Sequence, residues 1–487
     1  MKPPYFEVLS PREVEQIDAA SMNILESVGL RVNLKKARAD LRTAGARVDE
    51  TARSVRFPEA LVRAAIERAP RSFTLYGADP DFHMTIGTEQ VNFAALGTPT
   101  KIIDTETGEL RPTTLEDVRN HLRIIDAADH IHNSQMDIWP NDIPMTTIHA
   151  EAILAWAQNS RKSFGMGGYG VMATEDMMRM MAIAVGGREE LKRRPRFFAI
   201  CSVMSPLQMI NLQIEGMYML AEYGQPMAMS PEAMAGSTAP ATLAGLLAQH
   251  NAEVLAHITL AQIIAPGTPV LYGSVSTIAD MANANPALGA VETGLITAAA
   301  AQLARYYGLP CRAVGGATEA KTVDIQCALE RASTLLPAVL AGVHFITCGG
   351  TLESTMTESH PLLVLDDELC GLALRLARGI EVNDDTLALE LIKEVGWQGI
   401  YLDKTHTAQH YRGEHLRPRF LRRDSREAWE SKGAKTALDL ARERVRDILA
   451  KHQPRVLDPA TEHELREYLR MVQGRSMADY ERAEWEQ

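Results

Sequence analysis

The sequence predicts an α/β fold: a (β/α)8 TIM barrel with an N-terminal helical segment and a C-terminal helical extension. Three observations carry this. From residue 91 onward, eight apolar segments recur, each ending in Gly, Ser or Pro and each followed by a stretch of helical hydrophobic period. Strands alternating with helices imply parallel pairing, because parallel neighbours need a crossover long enough to hold a helix. The eight units fill about 260 residues, the usual size of a closed barrel. No G-x-G-x-x-G follows the first segment to favour an open doubly wound sheet.

Taken in order, residues 1–90 read as mostly helical. Ser10 is a plausible N-cap, Pro11 fits the first helical position and Glu13 completes a capping box. Shorter helices are expected near 34–44 and 58–68, then strands around a turn in "FTLYGADPDFHMTIG". The barrel is assigned to 91–360, with strands in 91–97, 131–140, 162–170, 196–206, 226–236, 269–276, 311–316 and 343–350. The Thr107-Gly108 turn makes 98–114 a small hairpin inserted after the first strand. Residues 361–487 form the extension, with helices at 362–379, 385–396 and 426–452, packed around the barrel or against a second subunit. A homo-oligomer is expected.

Composition narrows the function. The chain has 487 residues, 46% of them apolar, and a formal net charge of −12, so neither nucleic acid nor an anionic membrane is expected as a partner. No apolar run reaches the length of a membrane span, and the N-terminus lacks the apolar core of a signal peptide, so a cytoplasmic location is expected. The five cysteines are widely spaced and form no C-x-x-C, which argues against a disulfide framework. The 22 methionines read as core packing.

In a barrel the loops after the strands supply the chemistry. The strand-end set is Asp137, Trp139, Tyr169, Glu232, Tyr272, Ser274, Glu319 and Glu353. Glu232 and Glu319 stand out as catalytic candidates, each just past a strand and among small neighbours. Gly315 and Gly316 end the seventh strand and would let a ligand approach the backbone. No metal is expected: His406 and His410 lie four apart without an H-E-x-x-H, and His344 with Cys348 lacks a second thiolate. Neither a G-x-S-x-G elbow nor a P-loop is present.

The blocks "GTPTKIIDTETGELRPTTLED", "GGATEAKTVDIQ", "LVLDDELCG", "LARGIEVNDDTLALELIKEVG" and "HTAQHYRGEHLRPRFLRR" together resemble the trimethylamine methyltransferase superfamily over nearly the whole chain. The resemblance implies a (β/α)8 barrel that moves a methyl group from an amine to the cobalt of a separate corrinoid protein. Founding members carry pyrrolysine, for which the loop after strand seven is the matching place, whereas this chain holds only the twenty standard residues. In that respect it is similar to the glycine betaine methyltransferases of the superfamily, which implies a quaternary amine substrate. No cofactor would be bound tightly, the cobalamin arriving on the partner corrinoid protein. Trp139, Tyr169, Tyr272 and Glu232 would then hold the cation. Asp137 completes the substrate-binding set, and the backbone at Gly315–Gly316 or His360 would meet a betaine carboxylate. The alternatives are an unrelated barrel lyase or isomerase, and a non-catalytic barrel that binds quaternary amines.

Overall fold

The structure, a computed structural model, describes residues 5–135, 138–397, 399–453 and 455–486. Its centre is eight parallel strands: β1 Asn92–Ala95, β2 Ile131–Ser134, β3 Ser163–Phe164, β4 Ala199–Val203, β5 Met227–Pro231, β6 Val270–Ser274, β7 Cys311–Val314 and β8 Phe345–Gly349. They pair in the order β3-β2-β1-β8-β7-β6-β5-β4, and parallel bridges Phe164–Phe197 and Gly167–Ile200 join β3 to β4, so the sheet closes on itself. The helices after the strands are α1 Leu115–Ala127, α2 Ile148–Asn159, α3 Gly170–Val185, α4 Asn211–Glu222, α5 Leu243–Ile264, α6 Val291–Tyr307, α7 Ile325–Leu340 and α8 His360–Arg378. Among the described residues no helix is long and apolar enough to cross a membrane.

Side chains alternate along a strand, and that parity decides what enters the barrel. Ala94, Phe198, Ala228, Leu271 and Phe345, near the strands' N-terminal ends, point inward. They pack with Leu75, Met84 and Ile86 of the hairpin Phe73–Tyr76/His83–Ile86. The Phe198 and Phe345 rings meet at 4.5 Å. One end of the barrel is thus filled with hydrocarbon. Higher up, the inward positions become small: Ser230 follows Ala228, and Gly273 follows Leu271. A Cβ on Gly273 would lie 2.2 Å from Ser230 Oγ and 2.6 Å from Met229 O, so no larger residue fits there. Above this layer the core gives way to a hollow at the C-terminal ends of the strands.

The N-terminal region is built into the barrel. The helix Pro11–Ser27 has the expected capping box on Ser10 and packs along α5. Three short strands, Leu30–Val32, Arg47–Asp49 and Ser54–Arg56, were not expected in a mostly helical region. Leu30–Val32 pairs in parallel with Gln208–Met209 after β4, which gives it a partner too distant in sequence to be read locally. The expected hairpin at 98–114 forms from Lys101–Ile103 and Leu110–Pro112, and Lys101–Ile103 also pairs with Thr357–Glu358.

Several boundaries differ from expectation. The eighth barrel helix runs to Arg378, so the division at 360/361 falls at the start of that helix. The helix expected at 385–396 is two pieces, because Ala388 adopts a left-handed φ of 50°. That expected at 426–452 breaks at Gly433 and Ala434, both left-handed, into Arg426–Ser431 and Ala437–Lys451. Residues Thr405–Glu414 form a further helix between the expected ones. Met177, Met178, Met180 and Met181 of α3 lie in the core, and the five cysteines are free thiols.

Candidate active site

The hollow at the strands' C-terminal ends is a cavity of about 590 Å³. Leu96 and Gly97 enter it after β1, Gln135 and Trp139 after β2, Gly167 and Tyr169 after β3, and Ile200 and Ser202 from β4. Glu232, Val275, Arg312 and Ser354–Met356 complete the ring from the other four strands and their loops. The inward parity of Ala228 and Ser230 carries through to Glu232, which aims its carboxylate into the hollow. Glu232 is exposed there and has neither a hydrogen bond nor an ion pair within 4 Å among the described residues.

Trp139 and Tyr169 stand edge to face, ring centroids 6.1 Å apart at 80°. The Trp139 backbone is clamped: its N–H donates to Pro99 O at 3.0 Å, and its carbonyl accepts from Thr113 Oγ1 at 2.7 Å. The inserted hairpin thereby fixes an aromatic wall opposite the strands.

Arg312 was given no role from the sequence. It is the second residue of β7, completely buried and inward-facing. Among the described residues its guanidinium makes a single hydrogen bond, Nη1 to Ser274 O at 3.4 Å, and Nε has no partner. Burial pulls its pKa down to about 10 against the opposing pull of Glu232, the carboxylate whose charge it feels. Gln135, also buried, donates from Nε2 to Phe198 O at 3.2 Å and leaves Oε1 without a partner. The readable signal was an arginine inside the otherwise buried run "CRAVGG".

The last wall, Ser354–Met356, overlaps three consecutive non-glycine residues with left-handed φ: Glu353 at 53°, Ser354 at 51° and Thr355 at 78°. Such backbone costs roughly 1–3 kcal/mol per residue and persists only when its surroundings hold it. Glu319 does that holding. Its carboxylate accepts from Gly289 N at 3.0 Å and from Ser354 Oγ, while Ser354 N donates to Thr318 O at 3.0 Å. Glu319 thus ties together the loops after β6, β7 and β8 and is absent from the cavity lining.

Of the other residues singled out from the sequence, Trp139, Tyr169 and Glu232 share the cavity, while Asp137 lies outside the described residues. Tyr272 does not line the cavity. It sits between inward-facing Leu271 and Gly273, so parity turns it outward, where its hydroxyl donates to Asn251 Oδ1 of α5 at 2.9 Å and its ring stacks on Tyr307. Gly315 and Gly316 end β7 as expected but serve packing. The Gly315 N–H is spent on Thr347 O at 3.0 Å, and a Cβ on Gly316, at φ +61°, would lie 2.9 Å from Cys348 O. The Gly315 N–H is therefore not offered to a ligand.

His360 is buried beside the cavity wall in a charged cluster. Glu358 Oε1 lies 2.9 Å from His121 Nδ1 and 3.4 Å from His360 Nε2, and His121 Nε2 meets Ser134 Oγ at 2.8 Å. Burial alone would push Glu358 up, but the His360 charge and the His121 hydrogen bond outweigh it and hold it at about 2. Burial likewise opposes the charge on His360, and Glu358 overcomes it, raising His360 above its ordinary value. His344 and Cys348 have separate partners: His344 Nδ1 accepts from Cys311 N, and Cys348 Sγ lies 3.3 Å from Cys370 Sγ. His406 and His410 do come together, with Asp385, their ligand atoms within 4.8 Å on the C-terminal extension and not in the cavity lining.

The sequence profile of the family described as trimethylamine methyltransferase (MTTB) matches residues 1–475. The chain belongs to the trimethylamine methyltransferase family. Its relatives are methyltransferases, and so is this chain. It is 33% identical to a glycine betaine methyltransferase of Desulfitobacterium hafniense over 469 residues, covering 96% of this chain and 97% of that one. A trimethylamine methyltransferase of the same species is 35% identical over 451 residues, covering 92% and 90%. One from Methanosarcina barkeri is 32% identical over 455 residues, covering 92% and 91%. Among solved structures, the Methanosarcina barkeri monomethylamine methyltransferase is similar at a TM-score of 0.49 and 12% identity, over 90% of this chain and 92% of that one. Within this trimethylamine methyltransferase family member, the cavity at the barrel mouth is the candidate active site.

Proposed function

We propose that this methyltransferase takes a methyl group from a quaternary amine, glycine betaine or a similar compound, and delivers it to the cobalt of a corrinoid carried by a separate protein. The observation that carries the reading is the Glu232 carboxylate, unpaired among the described residues and facing a cavity walled by the Trp139–Tyr169 pair. A carboxylate and aromatic faces are the groups that hold a trimethylammonium cation. The likeness to a glycine betaine methyltransferase over 96% of the chain supports it, as does a sequence of only the twenty standard residues.

The chemistry asks for no proton. Cobalt(I) supplies the electron pair of the new cobalt–carbon bond, the carbon–nitrogen bond breaks, and nitrogen keeps its pair and leaves as a neutral tertiary amine. Trimethylamine would have to expel an amide-like anion or be activated first. The protein's own residues therefore hold the donor, exclude water and aim one methyl outward from the barrel mouth. In the test, a cob(I)alamin-loaded partner is offered glycine betaine, carnitine, proline betaine and trimethylamine in turn, and methylation is read from the cobalt spectrum. At least one trimethylammonium or dimethylammonium betaine should methylate the cobalt and trimethylamine should not. Efficient turnover of trimethylamine alone would overturn the reading.

A further inference from the structure

Arg312 raises a separate question, because a guanidinium has five N–H donors and this one is completely buried with a single long hydrogen bond among the described residues. Buried charges are ordinarily paired and hydrogen-bonded, since each unmet donor carries its full desolvation cost. Glu232, a described acid whose charge it feels, makes no hydrogen bond or ion pair with it. Arg312 lines the cavity at the strands' C-terminal ends, so an occupant of that cavity is placed to meet it. The aromatic pair and Glu232 belong to the same cavity, so one small molecule can meet a cation site and an anion site at once.

We propose that Arg312 is the carboxylate-binding residue of the substrate site, and hence that the substrates are zwitterionic trimethylammonium carboxylates in preference to quaternary amines without an acid group. The carboxylate accepts the guanidinium donors left over by the protein, in the planar geometry for which arginine is suited. The trimethylammonium head then lies toward Glu232 and the Trp139–Tyr169 wall, with a methyl directed to the barrel mouth. The anion keeps its charge throughout the reaction, so this contact orients the donor without opposing the loss of positive charge at nitrogen. The inference rests on the quaternary-amine reading, and two half-substrates separate the two. Choline keeps the cation and lacks the carboxylate, whereas 3,3-dimethylbutanoate keeps the carboxylate and replaces nitrogen by carbon.

The experiment is calorimetric binding of glycine betaine, choline and 3,3-dimethylbutanoate to the full chain and to Arg312→Met and Arg312→Lys, with circular dichroism to check folding. The unaltered protein should bind glycine betaine at least about 30-fold more tightly than choline, the scale of hydrogen bonds to a charged group. Arg312→Met should remove that preference and abolish 3,3-dimethylbutanoate binding while changing choline affinity less than about threefold. Arg312→Lys should restore part of the preference. Equal affinity of the unaltered protein for betaine and choline would sink the carboxylate assignment, even if no Arg312 variant folds. So would an equal loss of both ligands in a folded Arg312→Met. In either case methyl transfer from choline would leave the proposed function standing. Arg312-dependent binding of 3,3-dimethylbutanoate with no quaternary amine bound would do the reverse, supporting the anion site and removing the quaternary-amine reading.

Discussion

Glu232 is the side chain on which the cation reading turns. Its attraction for a trimethylammonium group is strongest in the ground state and fades as nitrogen becomes neutral in the transition state. Glu232→Gln should therefore raise KM about tenfold, the equivalent of roughly 1.4 kcal/mol, and change kcat less than about threefold. A matching fall in kcat with KM unchanged would mean that the carboxylate acts in the chemical step. The buried cluster around Glu358 makes a different prediction. Its folded pKa of about 2 lies below the ordinary 4.5, so the folded state binds fewer protons than the unfolded one between those values. The stabilisation is complete above pH 4.5 and is lost as pH falls toward 2. His360, raised above its ordinary 6.5, contributes below that value and loses its contribution as pH rises past it. Denaturant titrations should show the advantage of the native protein over Glu358→Gln shrinking below pH 4.5. An unchanged difference at pH 3 would contradict the assignment. At this scale the sequence was only half legible. Glu232, Trp139 and Tyr169 were found by their closeness to strand ends, but Tyr272 was selected and Arg312 passed over by the same rule. Closeness to a strand end does not say which face a side chain takes. Counting alternate positions back from Glu232 and Gly273 would have separated the two.

Among the elements, the loops after β6, β7 and β8 work as one unit through Glu319. Its bonds to Gly289 and Ser354 support the left-handed run 353–355 that forms one cavity wall. Glu319→Gln keeps the shape but weakens both charge-assisted bonds, so KM and kcat should both worsen, by about three- to tenfold, with little change at Glu232. A variant with normal kinetics would reduce Glu319 to a solvated loop acid. Gly316→Val tests the same loop by strain. A β-branched residue at φ +61°, with its Cβ 2.9 Å from Cys348 O, should cost roughly 2–4 kcal/mol of stability. A melting temperature within a degree of the native protein would show that the loop yields freely. Elements with strong local signals were legible: the capping box at Ser10–Glu13 and the hairpin turn at Gly108 lie where their sequences put them. The short strand Leu30–Val32 was not, because its partner at Gln208–Met209 is almost 180 residues away and no local pattern encodes that pairing.

For the whole molecule, the rhythm of eight apolar segments was enough to predict a closed barrel, because each parallel crossover had to be a helix. The division of labour along the barrel axis was not readable in advance. The hairpin Phe73–Tyr76/His83–Ile86, placed in the N-terminal segment by sequence, is the hydrocarbon plug under Phe198 and Phe345. Phe198→Ala should lower stability by about 3–5 kcal/mol while leaving substrate discrimination intact, which a denaturation curve and the betaine-to-choline affinity ratio would check together. The central claim is that this barrel removes one methyl from a quaternary amine and gives it to cobalt. The most direct measurement uses glycine betaine carrying three deuterated methyl groups, with mass spectrometry of the corrinoid protein and of the released amine. The account predicts one trideuterated methyl on cobalt for each dimethylated amine formed, and none from deuterated trimethylamine. Label reaching cobalt from trimethylamine, or from no quaternary amine in a broad panel, would contradict it.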